Sequence, residues 1–161
     1  MKNLFCLLLI TLLYSFSNNN QDEKLVLNEN DSLVFIRYSP KGQYGYTFYK
    51  LTKNQVFRNL TYFTYINQFK FYYNDNPERL VDLGSDKFNL TKDLVKYFPN
   101  RILAEERRIG NRSSFDDGAI YIQLTKNGVT KIWELESNPN LVPQEYRVFV
   151  QKVNEKINQL R

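Results

Sequence analysis

The stretch that decides the fold runs from Ala119 to Glu136 and reads AIYIQLTKNGVTKIWELE. Two segments rich in β-branched and apolar residues flank the tetrapeptide Lys-Asn-Gly-Val at 126–129. Asn-Gly is the preferred centre of a two-residue type I′ turn, and that turn fixes the register of the strands on either side. The sequence therefore predicts an antiparallel β-hairpin in which the first residue of the tetrapeptide faces its last.

This register divides the hairpin into two faces. One face is apolar and carries Ile120, Ile122, Leu124, Trp133 and Leu135. The other face is mixed and carries Tyr121, Gln123, Thr125, Thr130, Ile132 and Glu134. We expect the apolar face to be buried and the mixed face to be mostly exposed to water, as in an antiparallel sheet that is covered on one side.

The segment that follows the hairpin, 143–160, has the periodicity of an amphipathic helix. Apolar residues recur at helical spacing, namely Tyr146, Phe149, Val150, Val153, Ile157 and Leu160. The side expected to face water carries Glu145, Arg147, Lys152, Glu155 and Lys156. Pro143 suits the first turn. The mixed charges favour a helix docked on the sheet over one that lies on a membrane or in a partner's groove.

Upstream, four segments rich in aromatic and β-branched residues predict strands, at 32–39, 44–51, 56–65 and 69–73. The stretch 61–73 also fits one face of a helix, and its aromatic density favours strands.

A short helix is predicted over 90–98, with Thr91 capping its start and Pro99 ending it. One or two further helical turns are expected within 99–108. The predicted fold is therefore α+β: a twisted antiparallel sheet of about six strands built from hairpins. The long C-terminal helix and the shorter middle helix pack on one of its faces.

The first seventeen residues have the pattern of a secretory signal. Lys2 precedes an apolar run at 4–13, and the small residues Ser15 and Ser17 lead into a polar tract. We expect cleavage between residues 17 and 18. The alternative is a retained anchor, which is disfavoured because a spanning helix needs about 20 apolar residues.

The predicted organisation is a cleaved signal at 1–17, a flexible polar segment at 18–31 and a single domain at 32–161. The chain would then be secreted or periplasmic, with no membrane span after cleavage. Its one cysteine, Cys6, lies inside the signal. The mature domain would therefore fold without disulfides, even in an oxidising compartment.

The mature chain is mildly basic, with 21 Lys and Arg against 17 Asp and Glu once Lys2 is removed. Charges of both signs are interspersed, which disfavours a nucleic-acid partner. The densest basic stretch, 96–112, is interpreted either as a patch for an acidic partner or as a solvated helix face. We favour the solvated face.

The residue inventory excludes several kinds of chemistry. The chain has no histidine, and the mature domain has no cysteine. This removes Ser-His-Asp and Cys-His nucleophiles and the usual zinc, copper and haem ligands. We therefore predict no metal and no cofactor.

Carboxylate chemistry remains. Asp117 lies at the entrance to the hairpin, and Ala119 is predicted to pair with Glu136, so Asp117 is expected to approach Glu136. Two carboxyl groups about 5 Å apart, or about 6.5–9.5 Å apart for inversion, would suit a glycosidase. The simpler interpretation, which we favour, is that Asp116-Asp117-Gly118 is a loop and that Glu134 and Glu136 are solvated strand positions.

Twelve tyrosines and twelve phenylalanines form the other unusual feature. A tyrosine-rich sheet face left uncovered would offer stacking surfaces to sugars or peptides. The candidates are Tyr44, Tyr46, Tyr49, Tyr62, Tyr65, Tyr72 and Tyr73. More often such residues complete a core or its rim.

These observations favour an exported, non-catalytic binding module of inhibitor or envelope-accessory type, whose ligand is a protein, peptide or glycan. Two alternatives stay open. One is a secreted carboxylate-dependent hydrolase that uses Asp117 and Glu136, and the other is a structural component of the cell envelope.

Overall fold

The computed structural model describes residues 24–38, 46–61, 79–110 and 118–161. Within these ranges seven strands form one sheet in the order β4-β3-β2-β1-β6-β7-β5. The strands are β1 (Ser32–Tyr38), β2 (Tyr46–Leu51), β3 (Val56–Thr61), β4 (Leu80–Asp82), β5 (Arg108–Ile109), β6 (Ala119–Lys126) and β7 (Val129–Glu136).

The helical elements lie between β4 and β5 and after β7. The first α-helix among the described residues is α1 (Gly84–Thr91), which continues directly into a 3-10 helix, Lys92–Tyr97. Two further 3-10 turns follow at Asn100–Ala104 and Pro139–Leu141. The chain closes with α2 (Gln144–Leu160).

The predicted α+β class is confirmed. Each neighbouring pair of strands is antiparallel except β5 and β7, which run parallel. The described sheet has seven strands where about six were expected. The two strands that sequence reasoning missed, β4 and β5, are three and two residues long.

The central hairpin has the predicted register. Lys126 pairs with Val129, and Ile122 pairs with Trp133. Asn127 and Gly128 have φ angles of 52° and 77°, the left-handed conformations that a type I′ turn requires.

The other predicted strands are largely confirmed within the described residues. The first strand ends at Tyr38, the second begins at Tyr46, and the third is described as far as Thr61. The fourth predicted strand, 69–73, lies outside the described residues.

The middle helix differs from its prediction. The helix begins at Gly84 rather than at residue 90, so Thr91 ends α1 instead of capping its start. Its side chain is buried and donates a hydrogen bond to the carbonyl of Lys87 at 2.8 Å, one turn earlier. The helical turn expected within 99–108 is present as the 3-10 turn that begins at Asn100.

The C-terminal helix α2 covers the first face of the sheet, which is the one that carries the apolar face of the hairpin. All six of its predicted core residues are buried, and Pro143 stands at the N-cap. Lys156 is an exception to the predicted polar side, because it is only 5% exposed. Its Nζ lies 2.9 Å from Asp93 Oδ1, in the 3-10 helix that follows α1. An ion pair therefore joins the two helical elements.

The main core lies between this first face and the helices. Phe98 contacts both Trp133 and Phe149, with ring centroids 6.1 and 5.5 Å apart in edge-on geometry. Residues 24–31, which fall within the segment expected to be flexible, contribute Leu25 and Leu27 to this core. The packed chain therefore includes residues upstream of β1.

The second face of the sheet, which includes the mixed face of the hairpin, is buried in part, so the expectation that it is mostly exposed is corrected there. Its buried cluster consists of Val34, Ile36, Tyr38, Phe48, Ala119 and Tyr121. Tyr121 and Phe48 meet edge-on at 5.9 Å. The second face of the hairpin is therefore buried around Tyr121 and Glu134 and more exposed towards the turn.

Candidate functional site

Two glutamates of β7 project onto the second face of the sheet. Glu134 and Glu136 are two residues apart, so along a strand they point to the same side. They pair across to Tyr121 and Ala119 of β6, which confirms the predicted register. The two glutamates are 1% and 0% exposed, respectively. Our interpretation of them as solvated strand positions is therefore wrong.

Two arginines compensate the charge of Glu134. Arg107 Nη2 lies 3.1 Å from Glu134 Oε1, and Arg108 Nε lies 3.2 Å from Glu134 Oε2. The parallel pairing places Arg108 directly beside Glu134, and the backbone N–H of Glu134 donates to the carbonyl of Arg107 at 2.7 Å. The short strand β5 thus brings two guanidinium groups to one buried carboxylate, and a buried charge needs such partners.

This arrangement corrects our interpretation of the basic stretch. Arg107 and Arg108 were expected on a solvated helix face, yet Arg108 opens a strand at the sheet edge. About one third of each arginine side chain is exposed. These arginines are the functional candidates that sequence reasoning missed. The signal available was the adjacent pair of arginines, read together with an acid that the hairpin register places on β7.

Glu136 is held by close packing against the chain that follows β5. Gly110 has a φ of 116°, and a Cβ at this position would lie 2.6 Å from Glu136 Cγ. Glycine is therefore required at position 110 both for its backbone conformation and for space.

The predicted hydrolase pair is described only in part. Glu136 is fully buried, whereas Asp117 and Asp116 lie outside the described residues. A Cβ at Gly118, just before β6, would come within 2.9 Å of the Tyr38 carbonyl oxygen. The entrance to β6 is thus packed tightly against the end of β1.

Of the predicted aromatic face, Tyr49 is the member with a described side chain. It is 2% exposed and packs against Phe35 in the main core, with ring centroids 5.7 Å apart. Burial raises the pKa of the Tyr49 phenol. Tyr46 begins β2, opposite Thr61. The other predicted members lie outside the described residues: Tyr44, Tyr62, Tyr65, Tyr72 and Tyr73.

Tyr121 packs the second face and also makes a polar contact. Its hydroxyl donates a 2.7 Å hydrogen bond to Gln123 Oε1, while its ring packs in the buried cluster. A buried tyrosine with a satisfied hydroxyl stabilises the sheet. Within the described strands, this aromatic side chain serves packing rather than an open stacking surface.

The part of the chain that the structure describes offers neither a metal site nor a membrane-spanning helix. It contains no group of three or more acidic, histidine or cysteine side chains arranged to hold a metal ion. None of its helices is long and apolar enough to cross a bilayer.

Comparisons with known proteins returned no match: no family model, no curated protein and no solved structure is significantly similar to this chain.

Proposed function

We propose that the mature chain is an exported, non-catalytic binding or interaction module, of the kind that inhibits or accompanies other proteins outside the cytoplasm. The observation that carries this proposal is the state of the described carboxylates. Glu136, which the hydrolase alternative needs, is fully buried, and Glu134 is buried and neutralised by arginines. A catalytic acid or base has to reach its substrate, so this burial favours binding over hydrolysis.

The residue inventory supports the same proposal. The chain has no histidine, and cleavage of the signal would remove its one cysteine. The commonest nucleophile and general-base combinations are then missing from the exported domain. A protein, peptide or glycan ligand would be held by surface contacts, with no covalent step.

An activity screen tests the proposal. Purified residues 18–161 are incubated with panels of glycan, peptide and ester substrates, and we expect no turnover above the buffer rate. Turnover that is lost in Asp117→Asn and retained in the neighbouring variant Asp116→Asn would overturn the proposal and favour the hydrolase. Light scattering on the same sample tests the remaining alternative, a structural component of the cell envelope. Such a component would assemble into open-ended multimers, whereas a binding module would not.

A further inference from the structure

The sequence contains four Asn-x-Ser/Thr triplets, the acceptor pattern for N-linked glycans, and two of them are identical. The triplets begin at Asn30, Asn59, Asn89 and Asn111. Those at Asn59 and Asn89 both read Asn-Leu-Thr. A transferase that acts on the unfolded chain meets the same three residues at both positions. The folded structure therefore determines which of the two glycans the finished protein is able to carry.

Asn59 lies inside the sheet. It is 1% exposed, and its Nδ2, the atom that would carry the sugar, is itself buried. Strand β3 runs between two others, so Asn59 pairs with Phe48 of β2 and with Leu80 of β4. Paired residues point to the same side of a sheet, which places Asn59 on the second face with Phe48. A polar sugar attached here would have no room and no water, so the glycosylated strand could not pack as described.

Asn89 lies on the outside of α1. Lys87 faces the C-terminal helix, because its Nζ donates a hydrogen bond to the carbonyl of Gln159 in α2. An α-helix has about 3.6 residues per turn, so the second residue further on is rotated by about 200°. Asn89 accordingly points away from α2 and is exposed. Its Oδ1 accepts a 2.8 Å hydrogen bond from Lys92 Nζ, and this bond is compatible with a sugar on Nδ2.

We propose that Asn89 accepts an N-linked glycan when the chain passes through a eukaryotic secretory pathway, and that Asn59 carries none in the folded, exported protein. The donor is a lipid-linked oligosaccharide. The bond between the sugar C1 and the lipid pyrophosphate breaks, the pyrophosphate leaves with the bonding electrons, C1 bonds to Nδ2, and Nδ2 releases one proton to water. This inference goes beyond the proposed function and rests on the export that it includes.

The structure also indicates when the transfer takes place. Acceptor recognition needs the hydroxyl of the third residue of the triplet. In the folded chain the Thr91 side chain is buried, and its hydroxyl donates to the carbonyl of Lys87. Transfer to Asn89 therefore precedes the formation of α1. Chains that receive a sugar at Asn59 instead do not reach the native fold, and cellular quality control removes them from the exported pool.

Site mapping of the secreted protein tests the proposal. The full chain is expressed in a eukaryotic secreting host, and protein from the medium is treated with peptide N-glycosidase in ¹⁸O water. This treatment converts each glycosylated asparagine to a labelled aspartate, which mass spectrometry locates. We expect the label at position 89 and none at position 59. On a gel, Asn89→Gln should remove the mobility shift of one glycan. The matched variant Thr61→Ala, which destroys the other Asn-Leu-Thr triplet but keeps Asn59, should remove none.

Either of two results would overturn the proposal: label at Asn59 in the secreted protein, or unlabelled Asn89. Mapping uses the wild-type chain, so the test does not depend on whether a variant folds. If the chain is not secreted, replacing residues 1–17 with the host's own signal separates a failed signal from a failed acceptor. An unmodified Asn89 leaves the proposed binding function intact, whereas hydrolysis of a substrate through Asp117 contradicts that function whatever glycan is present.

Discussion

Asp31 shows how one side chain joins two distant parts of the sequence. Its Oδ2 accepts the backbone N–H of Asn28, and its Oδ1 accepts that of Asn127 in the hairpin turn, both at 2.9 Å. The carboxylate therefore fixes the N-terminal segment to the tip of the β6–β7 hairpin. These two backbone hydrogen bonds are the main reason why the pKa of Asp31 is lowered.

The lowered pKa predicts how stability depends on pH. An unfolded aspartate titrates at about 3.9, and the folded-state pKa lies below that value. The ionised form thus stabilises the fold fully above about pH 4, and this contribution is lost as the pH falls through the folded-state pKa. We expect Asp31→Asn to lower the free energy of unfolding by about 1–2 kcal/mol at pH 7 and by less at pH 3. Urea unfolding at both pH values measures this, and a difference that does not change with pH would contradict it.

Glu134 is predicted to stabilise the fold through its ion pairs with Arg107 and Arg108. Removing one partner of a buried ion pair costs about 3–5 kcal/mol, and partial exposure of the two arginines reduces this because water solvates them. We expect Glu134→Gln to lower the free energy of unfolding by about 2–3 kcal/mol. Exposed Glu106 provides the control, because Glu106→Gln should change the free energy of unfolding by less than about 0.5 kcal/mol. Equal effects of the two substitutions would contradict a structural role for the ion pairs of Glu134.

At the scale of elements, the stability of α2 depends on its buried side. Val150 is fully buried, whereas Val148 on the same helix is 55% exposed. We expect Val150→Ala to lower the free energy of unfolding by about 2 kcal/mol, from lost burial and the cavity left behind. Val148→Ala should be neutral or slightly stabilising, because alanine is the better helix former. Chemical denaturation of both variants measures the contrast, and losses of similar size would show that α2 is not docked as described.

The elements that the sequence predicts well are those with strong local signals. The β6–β7 hairpin follows from Asn127-Gly128, whose turn sets the register of every pair behind it. Helix α2 follows from its apolar periodicity, and its six predicted core residues are all buried. The start of α1 was missed because Gly84 and Ser85 are weak helix formers, and its first turn carries no apolar pattern.

The remaining elements depend on tertiary contacts that a local pattern does not encode. Strands β4 and β5 are too short to show alternation, and their pairing with β3 and β7 defines them. The burial of Glu134 could not be predicted for the same reason. A glutamate in an alternating strand resembles a solvated position until its arginine partners are placed beside it.

At the scale of the whole molecule, export is the prediction that determines the environment in which the protein works. We expect the chain purified from a secreting host to begin at Asn18, because the apolar run is short and small residues precede this position. Intact mass spectrometry with N-terminal sequencing measures this. Exported protein that still begins at Met1 would contradict the cleaved signal and favour the retained anchor.

The mature domain would have to remain folded without a disulfide. Burial of side chains on both faces of the sheet supplies the stabilisation instead. The main core lies beneath α2, and a second cluster packs the opposite face around Tyr121. Both sets of side chains are removed from water when the protein folds, so the hydrophobic effect stabilises the central strands from each face.

The short strands at the edges of the described sheet affect how readily the protein associates with other copies of itself. Long, flat edge strands invite another chain to add to the sheet, which is a common route to fibrils. Among the described residues, the outermost strands are β4, with three residues, and β5, with two, and β5 begins with a charged arginine. Each of these two short strands offers few backbone hydrogen bonds to an added strand. Outer strands this short give an added chain little to pair with, which disfavours edge-to-edge association at β4 and β5.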